Sequence, residues 1–236
     1  MKPLNRKNYG SIPHLSSSKL GSGDHYINFG QERMLTTKKL KEQDIIFASE
    51  KYDGSNVGIA KLNGKLLFLN REGYEVKTSP YVQQQLFEKW AQKRYHIFDS
   101  LLQEGERVVG EWLLQAHGLK YEIKGEPIVF FDLFNAKNQR IPYNEFLDRL
   151  GQYNLPTPRI LHTGEPAKVE DLIPVLNQKT DSIKPDELPE GMIYRVERNG
   201  KVLFLAKWVR HDFTPAKYMI GADEKDWVYN FNIEKI

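Results

Sequence analysis

The sequence predicts an α+β fold that is rich in antiparallel strands, with helices inserted between hairpins. Asn63-Gly64 and Asn199-Gly200 each lie between two apolar runs, and Asn-Gly in that setting is the strongest short-range signal for a hairpin. Strand-like runs also outnumber helical ones, without the regular alternation of strand and helix that a parallel sheet requires. At 236 residues, we expect a single domain spanning 1–236.

The first strands follow a long N-terminal segment. Residues 8–25 are rich in Ser and Gly with few apolar positions, so residues 1–30 are expected to be extended. Strands are then predicted at Ile45–Lys51, Val57–Leu62 and Lys65–Asn70.

A helical stretch is predicted over residues 80–103. Ser79 is the expected N-cap and Pro80 the first-turn residue. We expect a break near His96. An apolar stripe runs along one face at Val82, Leu86, Trp90, Phe98 and Leu101.

The second half alternates strands, two helices and a weakly patterned end. Strands are predicted at Arg107–Leu114, Pro127–Phe134, Met192–Arg198 and Lys201–Val209. Helices are predicted at Asn144–Leu150 and Val169–Asn177, and Pro174 should kink or shorten the latter. Residues 211–236 are expected to form a short C-terminal extension, with a helix at Thr214–Ile220 and a loose tail.

Composition and motifs exclude several classes of protein. The chain has no cysteine, which excludes disulfides, thiolate zinc sites and cysteine nucleophiles and fits a cytoplasmic location. No uncharged apolar run approaches the roughly 18 residues of a membrane helix, so we expect no membrane association. The six histidines lack metal-ligand spacing, and there is no phosphate-binding P-loop, dinucleotide fingerprint or nucleophile elbow. The net charge of +3 permits a polyanionic partner.

The most informative stretch is Glu50-Lys51-Tyr52-Asp53-Gly54-Ser55-Asn56, which joins two predicted strands. A lysine at a strand end, followed by Asp-Gly in a tight turn, directs an amine into a cleft beside backbone N–H groups. On its own the pattern is weak, because a surface turn with a solvated lysine has the same sequence.

Five further groups follow in order and complete the set that begins with the K-x-D-G turn. They are Arg71 after a strand, Gly110-Glu111-Trp112, Phe130-Phe131-Asp132, Glu190-Gly191-Met192-Ile193 and Ala206-Lys207-Trp208-Val209-Arg210. Together they resemble the lysine nucleotidyltransferases, which comprise ATP-dependent DNA ligases, RNA ligases and mRNA capping enzymes. The resemblance covers residues 45–210.

Within that superfamily the chain looks most like small ATP-dependent RNA ligases. DNA ligases and capping enzymes usually continue into an OB-fold, which needs far more than residues 211–236. The resemblance therefore implies an antiparallel-rich nucleotidyltransferase domain, the ATP-grasp-like ligase adenylylation fold, without an OB-fold. Ile12-Pro13-His14-Leu15 also looks like the N-terminus of some small RNA ligases.

The chain departs from the family pattern at two positions. One phage-type RNA ligase family often has His where this chain has Asp53. The final motif usually reads K-x-K, but here Val209 stands at the position of the second lysine, and Arg210 is the next residue. Strand alternation would send Arg210 to the opposite face unless the strand ends there.

The resemblance implies that Lys51 attacks the α-phosphate of ATP, in the presence of Mg²⁺ (or Mn²⁺), to form lysyl–AMP. AMP then passes to a 5′-phosphate, and a 3′-hydroxyl displaces it. The attacking amine must be neutral. We expect burial, the bound metal and Lys207 to lower the pKa of Lys51.

The resemblance also implies a role for each remaining residue. Glu190, Lys51 and Lys207 form the catalytic set, with Lys207 on the α-phosphate. Glu50 is expected beside adenine, Glu111 on the ribose and Arg71 on a phosphate. Asn56 and Glu190 are expected to order the water shell of the metal. Phe131 is expected to stack on adenine; Phe130 is the alternative, because adjacent strand residues face opposite ways, and a packing role for Phe131 stays open.

Other functions remain possible on the sequence alone. One is a DNA nick ligase that lacks its OB module. Another is a non-catalytic RNA-binding protein that tracks phosphates with the basic stretches Lys38–Lys41 and Lys201–Lys217. The third is a domain with a fortuitous K-x-D-G. The expected partners are ATP and RNA, or a nicked RNA/DNA duplex, and we expect a monomer.

Overall fold

The computed structural model describes residues 2–178, 183–185, 187–219 and 227–236. The strands are β1 (Asp44–Lys51), β2 (Ser55–Leu62), β3 (Lys65–Asn70), β4 (Arg107–Trp112), β5 (Tyr121–Ile123), β6 (Ile128–Phe134), β7 (Ile160–Gly164), β8 (Ile183–Pro185), β9 (Gly191–Arg198) and β10 (Lys201–Val209). The helices are α1 (Phe29–Thr36), α2 (Val82–Gln92), α3 (Tyr95–Leu101), α4 (Tyr143–Gly151) and α5 (Val169–Leu176).

Two four-stranded antiparallel sheets organise the described residues. The first sheet has the strand order β10-β9-β1-β7 and the second has the order β3-β2-β4-β6. Both predicted hairpins are present, with positive φ at Asn63 (53°) and Asn199 (49°) and at the glycine after each, as a two-residue type I′ turn requires. The predicted antiparallel-rich α+β class is confirmed.

Lys51 lies where the chain passes from the first sheet to the second. It is the last residue of β1, and β2 begins at Ser55. Gly54 lies in this turn, where a Cβ atom would come 2.5 Å from the carbonyl oxygen of Trp112. A larger residue would push the turn away from β4, so the glycine of K-x-D-G keeps the lysine close to the second sheet.

Each sheet packs helices against one face. The larger core lies between the second sheet and α2, α3 and α4, where Trp90, Trp112 and Phe146 are fully buried. A second core lies between the first sheet and helices α1 and α5. The helices cover one face of each sheet, and polar side chains lie where the two sheets meet.

The predicted helix over 80–103 is wrong at its start. Residues 76–78 form a 3₁₀ turn, Ser79 is extended (ψ 140°), and α2 begins at Val82. The N-cap is Tyr81 rather than Ser79, because the Ser79 hydroxyl accepts from the Tyr81 N–H at 3.1 Å and such a local bond competes with helix formation. The predicted break exists, but it lies at Lys93–Arg94 rather than near His96. Pro174 lies inside α5, which ends two residues later at Leu176.

The C-terminal predictions also need correction. Residues 214–219 form turns and no helix, since Ala216 has a φ of 56°, which a right-handed helix excludes; Ile220 lies outside the described residues. The described part of the expected loose tail, residues 227–236, is instead packed: Ile236 is fully buried, and the Asn230 N–H donates to the Leu114 carbonyl at 2.8 Å. Residues 227–236 show no apolar periodicity from which this packing could be predicted.

Three strands and a helix were not predicted, namely α1, β5, β7 and β8. The organisation of residues 1–236 as one domain with terminal segments stays a prediction. No helix in the described part of the chain combines the length and the apolar character needed to cross a membrane.

Candidate active site

A cleft of about 300 Å³ opens between the two sheets. Its walls come from β1, β9 and β10 on one side and from β2, β4 and β6 on the other. Seven of the residues singled out in the sequence line it: Glu50, Lys51, Asn56, Arg71, Glu111, Phe131 and Lys207. The eighth, Glu190, contacts Lys51 directly.

The Lys51 amine is held by carboxylates. Its Nζ lies 2.5 Å from Oε2 of Glu190 and also donates to the Tyr52 carbonyl at 3.4 Å. Burial favours the neutral amine, but the negative charges of Glu190, Glu111 and Asp53 outweigh that effect and raise the pKa of Lys51. The amine is therefore held in its charged form in the free protein, whereas the expected lowering of its pKa includes the bound metal and stays a prediction.

The surrounding carboxylates are fixed by backbone N–H groups. Glu111 Oε1 accepts a hydrogen bond from the Gly54 N–H at 3.2 Å, and burial raises the pKa of Glu111 to about 7. Asp53 Oδ2 accepts from the N–H groups of Gly118 (2.6 Å) and Leu119 (3.0 Å). Asp53 thus ties the turn after the lysine to the loop after β4.

The donor set fits a divalent cation held largely through water. Among the described residues, no group of three or more His, Cys, Asp or Glu side chains is placed to hold a metal ion. Glu190 supplies a buried carboxylate, and the side-chain oxygen of Asn56, which accepts from Asn8 Nδ2 at 3.3 Å, lies in the cleft wall. Mg²⁺ usually keeps several waters and takes one or two protein carboxylates plus substrate phosphates, which this arrangement provides.

Strand alternation separates the two phenylalanines of β6. Phe130 is fully buried in the larger core, 5.7 Å from the ring of Phe98 and 6.4 Å from Trp90. Phe131 lines the cleft and packs edge-on against Tyr9, at 5.1 Å between ring centroids. Phe130 is therefore unavailable for stacking, and Phe131 offers its ring to the cleft.

The carboxylate of Glu50 has an arginine partner that the sequence did not predict. It is only 3% exposed, and its Oε2 accepts a hydrogen bond from Arg159 Nε at 2.9 Å. Arg159 also donates to the carbonyls of Val175 and Leu176 at the end of α5. The carboxylate of Glu50 thus anchors Arg159 beside the cleft.

Lys207 and Arg71, the two predicted phosphate ligands, lie in the cleft wall, whereas Arg210 does not. Lys207 donates to Asp24 Oδ1 at 3.3 Å, and Arg71, exposed at the rim, donates to Ser11 Oγ at 3.3 Å. β10 ends at Val209, and the Arg210 Nε lies 3.6 Å from Asp212 Oδ1. Arg210 is not among the residues that line the cleft.

A buried charged network holds the two sheets together behind the cleft. Asp132 on β6 is fully buried and accepts from Tyr9 Oη at 2.7 Å and from Arg140 Nε at 2.9 Å. Its other oxygen accepts from Arg195 on β9, which itself lines the cleft. Because this contact joins β6 to β9, it fixes the separation of the cleft walls.

Sequence reasoning missed Tyr9, Asp24, Arg159 and Arg195. Tyr9 and Asp24 belong to a segment without periodicity, and the two arginines lie outside the motifs. Asp132 follows Phe131 in a strand, and a buried aspartate requires a partner. That requirement was the one available signal for Arg195.

Two sheets that enclose a polar cleft, with a lysine at the strand end between them, define a nucleotidyltransferase-type domain. A model of the RNA ligase family matches residues 44–209. That is more than half of the chain, and the chain belongs to the RNA ligase family. A comparison with curated proteins gave no significant match.

Two solved structures of one ligase, with TM-scores above 0.5, support the same fold. A mutant of the Naegleria gruberi RNA ligase in its apo form is 14% identical, with a TM-score of 0.55 over 86% of this chain and 57% of that chain. Another mutant of that ligase, with ATP and Mn, is 15% identical, with a TM-score of 0.54 over 85% of this chain and 61% of that one. An archaeal ATP-dependent RNA ligase is 19% identical, with a TM-score of 0.49 over 85% and 48%. The chain thus spans about half to three fifths of the length of these proteins.

Proposed function

We propose that the protein is an ATP-dependent RNA ligase that joins 3′-hydroxyl and 5′-phosphate ends through lysyl–AMP. The observation that carries the proposal is the position of Lys51. Its amine lies at the junction of the two sheets, 2.5 Å from a buried carboxylate of Glu190, in a cleft that also presents Phe131 and Lys207. An amine in such a setting suits covalent catalysis.

In the proposed first step, the Lys51 nitrogen forms a bond to the α-phosphorus, and the bond from that phosphorus to pyrophosphate breaks. Phe131 would stack on adenine and Glu111 would accept from the ribose. Lys207 and Arg71 would contact phosphates, where cations stabilise developing negative charge. Glu50 would support the adenine end through Arg159.

Lys51 must lose a proton before it attacks, because the neighbouring carboxylates keep it charged in the free protein. Glu190 and Asn56 would hold a divalent cation, Mg²⁺ or Mn²⁺, through water. That cation would supply positive charge, which neutralises phosphate charge and opposes the carboxylates that raise the lysine pKa. The AMP then transfers to a 5′-phosphate, and a 3′-hydroxyl displaces it to form the phosphodiester.

The experiment that tests this function uses ATP labelled at its α-phosphate. In the presence of Mg²⁺ we expect label on the protein that is lost in acid and retained in alkali, as for a phosphoramidate. Adenine is the base expected at Phe131, so GTP should label poorly. A protein that is never labelled would instead be an RNA-binding module, and equal labelling by GTP would indicate a capping-type reaction.

We further expect the 3′-hydroxyl side of the break to be RNA. RNA is distinguished from DNA by its 2′-hydroxyl and its A-form shape, both of which the 3′-side nucleotides supply. Nicked duplexes with two ribonucleotides on that side should therefore be sealed faster than all-DNA nicks. The two substrates are compared at one salt concentration, since phosphate contacts weaken as salt rises.

The control for this comparison is a nick with ribonucleotides on the 5′-phosphate side only, where we expect little effect. Equal or faster sealing of the all-DNA nick would contradict the RNA assignment and favour the DNA nick ligase. A cytoplasmic location, consistent with the absence of cysteine, completes the proposal.

A further inference from the structure

The N-terminal segment, residues 8–27, lies outside the region matched by the family model but forms part of the cleft. At one end, the Asn8 carbonyl accepts from Arg107 Nε of β4 at 3.0 Å. At the other end, the Leu15 N–H donates to the Lys207 carbonyl, and the Lys207 N–H donates to the Pro13 carbonyl, both at 2.9 Å. The segment therefore extends the first sheet beyond β10 and holds the backbone of Lys207 from outside.

The same segment also supplies a side chain to Lys207. Asp24 Oδ1 accepts from Lys207 Nζ at 3.3 Å, and Asp24 Oδ2 accepts from the Gly21 N–H at 3.1 Å. Nε2 of His14 lies 2.9 Å from that second oxygen. His14 is itself only 2% exposed, with Nδ1 2.7 Å from Ser18 Oγ. The carboxylate is thus fixed in place by one oxygen while the other faces the lysine.

Asp24 is the ion-pair partner of Lys207. In the part of the chain that the structure describes, Asp24 is the one carboxylate within ion-pair distance of Lys207. Burial lowers the pKa of Lys207, and the Lys51 cation lowers it further, whereas Asp24 and, more weakly, Glu190 raise it. Without Asp24, the pKa of Lys207 would be lower still, and the ammonium would lose the contact that fixes its position.

We propose that Asp24, fixed by the Gly21 N–H, is a positioning residue that holds the Lys207 ammonium in the orientation needed to contact the α-phosphate of the bound nucleotide. The inference rests on the proposed function, since it takes Lys207 as a ligand of that phosphate. It assigns a role to the segment that precedes the family motifs. Asp24 makes no bond to the substrate and acts through the lysine alone.

The test is a double-mutant cycle on Asp24→Asn and Lys207→Ala, with the rate of lysyl–AMP formation measured in single turnovers. Asp24→Asn should slow the reaction about tenfold to a hundredfold, because a misplaced Lys207 loses its contact with the α-phosphate in the transition state. The KM for ATP should change less than the rate does. The double variant should be no slower than Lys207→Ala alone, because two residues that act as a unit are not additive.

Asp148→Asn is the matched control, an exposed aspartate on α4 far from the motifs, and it should react at the parental rate. Additive losses in the double variant would show that Asp24 does not act through Lys207 and would overturn the proposal. Faster reaction of Asp24→Asn would also overturn it, since the contact would then restrain the lysine.

A readout without nucleotide separates this proposal from the proposed function. Lysines carrying ¹³C-methyl groups are titrated by NMR, and the Lys207 resonance is identified by its loss in Lys207→Arg. Asp24→Asn should lower the pKa of Lys207, whereas Asp148→Asn should not change it. An unchanged pKa would refute the contact, even in a protein that labels normally with ATP. A shifted pKa in a protein that never labels would refute the proposed function and leave the Asp24–Lys207 contact established.

Discussion

Lys51→Ala is expected to abolish formation of the protein–AMP adduct while the fold remains intact. The amine is the one atom that would bond to phosphorus, so its removal eliminates the step itself. The fold should persist, because Lys51 lies in the cleft wall and is not part of the largest core. The melting temperature should nevertheless fall, because the buried Glu190 loses its ion-pair partner. The measurement is labelling with α-labelled ATP, together with a thermal unfolding curve for each protein.

Two control variants sharpen this test. Lys51→Arg keeps a cation beside Glu190 but has no nucleophile at working pH, so it should also fail to label. Lys89→Ala removes an exposed lysine from α2 and should label at the parental rate. A Lys51→Ala protein that still acquires acid-labile, alkali-resistant label would place the nucleophile elsewhere.

A nick that already carries AMP on its 5′-phosphate separates the formation of lysyl–AMP from the sealing step. If Lys51 serves only in the first step, Lys51→Ala should still seal a nick that already carries AMP on its 5′-phosphate. Failure on both substrates would indicate that the lysine, or the fold around it, is needed in the later step as well.

The strands that carry the motifs could be predicted because their signals are local. The Asn-Gly turns specify both hairpins, and β3 and β10 have the predicted bounds. Alternation along β6 predicts that Phe130 and Phe131 face opposite ways, and Phe130 is the one buried in the core, while stacking of Phe131 on adenine stays a prediction. The order of the motifs carries the family resemblance, and the residues that this resemblance selects lie around one cleft.

Other features depended on contacts between distant segments, which no local pattern contains. The partner of Glu50 is Arg159, and the partner of Lys207 is Asp24; both pairs form only after the sheets assemble. The raised pKa of Lys51 in the free protein could not be predicted for the same reason. Burial was visible in the pattern, but the arrangement of three carboxylates around one amine was not.

The second large effect is expected for Glu190→Gln, which should slow lysyl–AMP formation by about 10²–10³-fold, the usual loss when one charged group that stabilises the transition state is removed. Two physical effects oppose each other in this variant. Loss of the carboxylate lowers the pKa of Lys51, which makes more neutral amine available and on its own speeds the reaction. Loss of the proposed anchor for the divalent cation slows it, and we expect this effect to prevail.

Measurements of pH and metal dependence separate those two effects. Because the carboxylate raises the pKa of Lys51, the rise of the single-turnover rate with pH should begin at lower pH in Glu190→Gln than in the parent. The Mg²⁺ concentration for half-maximal rate should increase as well. Glu145→Gln, an exposed glutamate on α4, should change neither quantity. A Glu190→Gln protein that reacts at least as fast as the parent, at the parental Mg²⁺ requirement, would contradict this prediction. The Glu190 carboxylate would then only form an ion pair with Lys51, and other groups would hold the cation.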